Sequence, residues 1–198
     1  LIATTAISAR VAMAQDSTRV RPAISGHYWR NFAAGFATSI LSHEAAHVGT
    51  AMALGAHPWL GFDKARPTVY SGLDATAEPH KQFLFSSAGL DAQALLDEAI
   101  LDVPHHRGAA FERGVLAGGI GTALFYVTIG RWGRVSDIDF IARTHALNKT
   151  QATLIYGGVA ALHTWRVSRD GRYADFFARP DSRGRVAVGV DLNTDPRR

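Results

Sequence analysis

Between Arg30 and Asp63 the chain runs for 32 residues with a single formal charge, Glu44, and that glutamate lies inside the pentapeptide His43-Glu44-Ala45-Ala46-His47. An ionised carboxylate in apolar surroundings is costly unless it is paired or neutralised by a metal. The stretch from 31 to 57 is rich in Ala, Leu and other small or apolar residues and holds no proline, so it reads as a helix. In a helix, residues four apart project from nearly the same side. His43 and His47 can therefore place two imidazole nitrogens on one metal ion, while Glu44, one step round, reaches a water beside it. This is the H-E-x-x-H arrangement, and a divalent cation offsets the charge that the helix otherwise cannot carry.

The pattern is specific. With 9 His in 198 residues and four glutamates, a shuffled chain contains it about 0.01 times. The competing reading places both histidines in hydrogen bonds inside a helix bundle with Glu44 as their partner.

Composition sets the surroundings. The chain is 47% hydrophobic and 19% charged, below the roughly 25% charged of soluble domains, which leans towards a membrane. The mean hydropathy near zero averages apolar segments with a charged C-terminal tail. The net charge of +4 is carried by arginines scattered over loops and termini, without a basic face, so nucleic-acid binding is not expected. Cysteine is absent, which excludes disulfides and thiolate metal sites.

Four apolar segments read as helices: 31–57, 82–101, 114–130 and 150–165. The third has 17 residues without a charge, and its Gly114-x-x-x-Gly118 and Ala117-x-x-x-Gly121 spacings offer a small-residue face for close packing. Tyr28, Trp29, Trp59, Trp132 and Trp165 stand at segment edges, where a bilayer interface would hold them. The expected fold is therefore all-α, a polytopic membrane bundle of about four helices, in a multi-pass protein of a bacterial inner membrane. Lys and Arg are spread over every loop and give no orientation. Residues 1–28 read as an N-terminal tail or the remnant of a signal peptide, with Ala12-Met13-Ala14 as a small-x-small triplet. Residues 29–166 form the helical domain, with loop 58–81 outside the membrane as a lid or short hairpin. Residues 167–198 form an extramembrane tail in which 184–192 suits one strand.

A zinc site needs a third protein ligand. From Asp91, Glu98 is 7 and Asp102 is 11 residues on, which puts all three within about 20° of one line along a helix. Glu98 is the first candidate, with Asp102 one turn on able to orient a ligand histidine. Asp91 is the next, and Asp97 lies about a quarter-turn off the line, towards an interface. Asp137 and Asp139, in the sequence Ser-Asp-Ile-Asp, remain as further candidates but suit the cap of a helix carrying "FIARTHAL". His80, His105, His106, His145 and His163 lie near segment ends or in loops and suit surface roles.

The stretch "HEAAHVGTAMALGAHP" resembles the first motif of the site-2-type intramembrane zinc metalloproteases. "AGLDAQALL" at 88–96 is similar to their second motif, A-G-P-x-x-N, with Ala88 and Gly89 matching, Leu90 in place of Pro and Gln93 where the Asn would be. That family takes its third ligand from an Asp-Gly pair in a later helix; here the one such pair after segment three is Asp170-Gly171, in the charged tail. The Glu98-x-x-x-Asp102 spacing resembles instead the gluzincin metallopeptidases. Either resemblance implies zinc-dependent peptide-bond hydrolysis: Zn2+ on His43, His47 and Glu98, Glu44 as general base, and Gln93 hydrogen-bonding a substrate carbonyl or oxyanion. The partners it implies are a protein or peptide substrate and the lipid bilayer. The alternative is a non-catalytic membrane protein with a structural or transport-type metal site.

Overall fold

The computed structural model describes residues 26–63, 66–105, 108–133, 135–180 and 186–192. Most of the expected tail at 1–28 and His106 lie outside them. The four apolar segments are helices α1 (Gly26–Ala53), α2 (Pro79–Asp102), α3 (Ala110–Val127) and α5 (Lys149–Arg169). A short helix α4 (Asp137–Arg143) precedes α5. Loop 58–81 contains an antiparallel hairpin, β1 (Trp59–Asp63) with β2 (Arg66–Tyr70). A second hairpin pairs β3 (Ala174–Pro180) with β4 (Val186–Leu192), and the latter falls within the strand expected at 184–192. The chain is thus mainly helical, with two small hairpins.

Local chemistry sets the boundaries. α1 ends where Gly55 adopts φ 77°, a left-handed conformation that lets the amide of Ala56 reach back to the Ala51 carbonyl. α2 begins at Pro79, whose missing N–H costs nothing in a first turn. α5 starts with Asn148 and Gln151 exchanging side-chain to backbone hydrogen bonds, each at 2.9 Å. In the loop before α2, the backbone amides of Thr76 and Ala77 donate to Asp74 and hold its carboxyl below the usual carboxylate range.

α1 and α3 cross closely enough that a Cβ on Gly35 would run into the Phe111 carbonyl and one on Gly114 into the Phe32 carbonyl. Gly118 packs on Ser39 in the same crossing, so the first small-residue spacing lies at a helix contact; Gly121 has nothing near its Cβ position. One apolar cluster joins α2 to α5 through Leu90, Tyr126, Ile138, Ile141, Ala152 and Tyr156. Ile138 and Ile141 are fully buried, and each contributes about 1.5–3 kcal/mol to docking the short α4. A second cluster, Ala51, Val69 and Phe85, fixes β2 against α1 and α2.

Among the described residues the interior holds Ser39, His43, His47, Gln93, Asp97 and His163, while 20 large hydrophobic side chains stand exposed, from Leu41 and Met52 on α1 to Leu154 and Leu162 on α5. No helix of the described residues is long and apolar enough to cross a membrane.

Candidate metal centre

α1 places His43 and His47 one turn apart, both buried. Each ring is held by its Nδ1 atom. His47 Nδ1 donates to the backbone carbonyl of Phe85 at 2.7 Å, and because a carbonyl only accepts, the proton is on Nδ1. His43 Nδ1 donates to Gln93 Oε1 at 3.0 Å, while the Gln93 amide nitrogen donates to the Ser39 hydroxyl and carbonyl at 3.0 and 3.2 Å. In the neutral rings both Nε2 atoms are then left as lone-pair donors to a cation. Flanking rings fix their planes, with Tyr126 stacked on His43 at 6.0 Å and Phe85 beside His47 at 4.9 Å between centroids.

The two Nε2 atoms lie 3.1 Å apart. Asp137 Oδ2, at the first turn of α4, is 3.1 Å from His43 Nε2 and 3.6 Å from His47 Nε2. That oxygen is buried and makes no hydrogen bond. Three electron-pair donors thus converge on one point, an arrangement that repels itself unless a metal ion lies between them or one Nε2 is protonated and donates to Asp137. Their spacing is close to the roughly 3.3–3.5 Å that separates ligands each about 2.0–2.1 Å from a tetrahedral ion. His43, His47 and Asp137 are the group of metal-ligating side chains found among the described residues. The donor set fits a divalent metal.

Gly89 keeps the space between the donors open. A Cβ there would sit 2.6 Å from both His43 Nε2 and His47 Nε2, in the space where the donors converge. Gly89→Ala is expected to leave the helices intact and to lower metal affinity by on the order of 10- to 100-fold, the scale of a damaged supporting contact, or more. Metal content after dialysis checks this; full retention would mean that the ion does not bind between the two rings.

A small cavity with about 30 Å³ of room for a water centre adjoins the donors, lined among others by Glu44, Thr68, Ser136 and Phe140. Glu44 therefore lines the cavity beside the donors. The hairpin reaches it through Thr68 and Val69 of β2.

Two expected assignments change. Glu98 is not at the metal group. Its Oε1 takes a hydrogen bond from His163 Nε2 at 2.8 Å and its Oε2 pairs with Arg166, on the side of α2 that faces α5. Asp137 stands beside the two histidines instead, because buried Ile138 and Ile141 draw the start of α4 against them. Gln93 does not present its amide to a substrate: it is buried and committed to His43 and Ser39, which makes it a positioning residue for the His43 ring. Asp91 is exposed and accepts from the Tyr156 hydroxyl at 3.0 Å, and Asp139 pairs with Arg143 and Lys149 on the outer face of α4. His163 is buried, contrary to the surface role expected of it.

Comparison with protein-family models, with curated proteins and with solved structures gave no match to this chain.

Proposed function

We propose that the protein is a membrane-embedded zinc endopeptidase that hydrolyses peptide bonds in membrane or membrane-proximal substrates. The observation that carries this reading is the convergence of His43 Nε2, His47 Nε2 and Asp137 Oδ2 beside Glu44. A two-histidine, one-carboxylate set favours zinc, with one position left for solvent or substrate. The ion supplies a Lewis acid that brings the acidity of water to near neutral pH and polarises a peptide carbonyl. His43 and His47 keep their lone pairs directed inward because Gln93 and Phe85 hold the opposite nitrogens. Asp137 neutralises part of the charge. Glu44 takes a proton from the attacking water and delivers it to the leaving amine. A purely structural or transport-type site needs no carboxylate next to the donors that is not itself one of them, and this disfavours the non-catalytic alternative.

The third acid also bears on the type of enzyme. It comes from a helix that follows α3, the order expected of the site-2-type metalloproteases, although the residue after Asp137 is Ile and not Gly. The gluzincin reading would have required Glu98. The lipid setting is supported by the outward apolar side chains on all four long helices and the inward polar ones.

The test is direct. Purified full-length protein should carry about one zinc per chain, and His43→Ala with His47→Ala should carry none. Cleavage of a transmembrane peptide should stop with a chelator and return with zinc. Extraction from membranes should need detergent, since salt and alkali release only peripheral chains. Stoichiometric metal in the double variant would overturn the site, and a monodisperse monomer in detergent-free buffer would replace the membrane enzyme by a water-soluble one.

A further inference from the structure

The acidic line on α2 has no part in the metal centre, and its surroundings form a second site. Glu98 accepts from His163 Nε2, Arg166 bridges Glu98 and Asp102, and further back along the helix Asp91 accepts from Tyr156. A quarter-turn round, Asp97 points into the bundle and is 1% exposed. Its Oδ2 lies 3.4 Å from Nδ1 of His163, which is 2% exposed. Its Oδ1 is buried and has no hydrogen-bond partner. Gly119 of α3 leaves space for this carboxyl, since a Cβ there would collide with both of its oxygens.

Asp97 lines an internal cavity with about 10 Å³ of room for a water centre. Gln93, Tyr156 and His163 are its other polar neighbours, and the rest of the lining is aliphatic or glycine. The space is at the lower limit of what a single water needs. It offers too few oxygens for a metal cation, which takes six or more ligands when it is calcium and near-octahedral ones when it is magnesium. The cation that fits a lone buried carboxylate here is the proton.

We infer that Asp97 and His163 form a proton-binding site, separate from the metal centre, which exchanges with the outside through Glu98. Before uptake the neutral His163 ring carries its proton on Nδ1. A proton taken up on Glu98 passes from its O–H to the lone pair of Nε2, and the imidazolium so formed releases its Nδ1 proton to Asp97 Oδ2, which leaves His163 neutral with its proton on Nε2, the tautomer that donates to Glu98. One proton has moved inward: Glu98 is again a carboxylate, Asp97 is a carboxylic acid and His163 has changed tautomer. The groups facing the pair are Glu98 on α2 and Arg166 and Tyr156 on α5. α3 presents Gly119 and Ile120, and α1 reaches the cavity only through the Ser39 contacts of Gln93. The Gln93 amide has both ends committed, so the route stops at the cavity and does not continue to His43. Ionisable pairs buried between helices in a lipid setting serve proton or ion movement, and this one opens to a single side.

Infrared spectra of the full-length protein in lipid, recorded as the pH is changed, test the site. A protonated-carboxyl C=O band is expected in the wild type, lost in Asp97→Asn, shifted in His163→Gln, and kept in Asp91→Asn. It should also persist in His43→Ala, so that the two sites succeed or fail separately. Wild-type protein labelled with carboxyl-13C aspartate shows without a substitution, through the isotope shift of the band, that the band belongs to an aspartate and not to Glu98. A band unchanged by Asp97→Asn, or one that aspartate labelling does not shift, would overturn the proposal.

Discussion

Glu44→Gln is expected to keep the full complement of zinc and to lose about 10²- to 10⁴-fold in turnover. Glu44 is not among the three donors, which are His43, His47 and Asp137, but it lines the cavity on which they open. An amide of the same shape leaves the donors undisturbed and removes the group that takes a proton from water. Zinc content and the rate of cleavage of a transmembrane peptide, measured on the same preparation, check this. Zinc retained with activity unchanged would remove the peptidase mechanism and leave a metal-binding protein.

Asp137→Asn should act in the opposite order: metal is lost first and activity only as a consequence. The substitution removes an anionic oxygen 3.1 and 3.6 Å from the two histidine nitrogens. The loss of affinity should exceed the roughly 10- to 100-fold typical of a group that merely supports a ligand. Glu98→Gln should keep its zinc, because Glu98 is engaged with His163 and Arg166. Competition with a zinc-binding dye gives both affinities. Should Glu98→Gln lose the metal while Asp137→Asn keeps it, the ligand set passes to the acid that helical spacing alone favours.

The contrast between these two acids separates local from long-range information. His43 and His47 are four residues apart in one helix, and a helix has a fixed rise and rotation, so their convergence follows from the residues between them. The uncharged run, the stop at Gly55 and the starts of α2 and α5 are equally local. The same regularity placed Asp91, Glu98 and Asp102 on one line of α2. It could not say which neighbour that line meets, and the neighbour is α5, with His163 and Arg166.

Asp137 lies 90 residues after His47 in the chain, and its place was decided by burial elsewhere. Ile138 and Ile141 enter the core with Leu90, Tyr126 and Tyr156, and that packing carries the preceding carboxylate to the histidines. In sequence, Ser-Asp-Ile-Asp offers only a helix cap. Gln93 shows the same division. Its place on α2 was open to inspection, but its bonds to His43 and Ser39 exist only because α1 and α2 pack together. By itself, then, the sequence determined the helices, the histidine pair and the chemistry two imidazoles and a glutamate can perform, since each depends on residues within a few turns. The tertiary structure alone decided which distant carboxylate joins the two histidines and which is left to the buried pair of Asp97 and His163, because that choice rests on how apolar faces from separate helices bury one another.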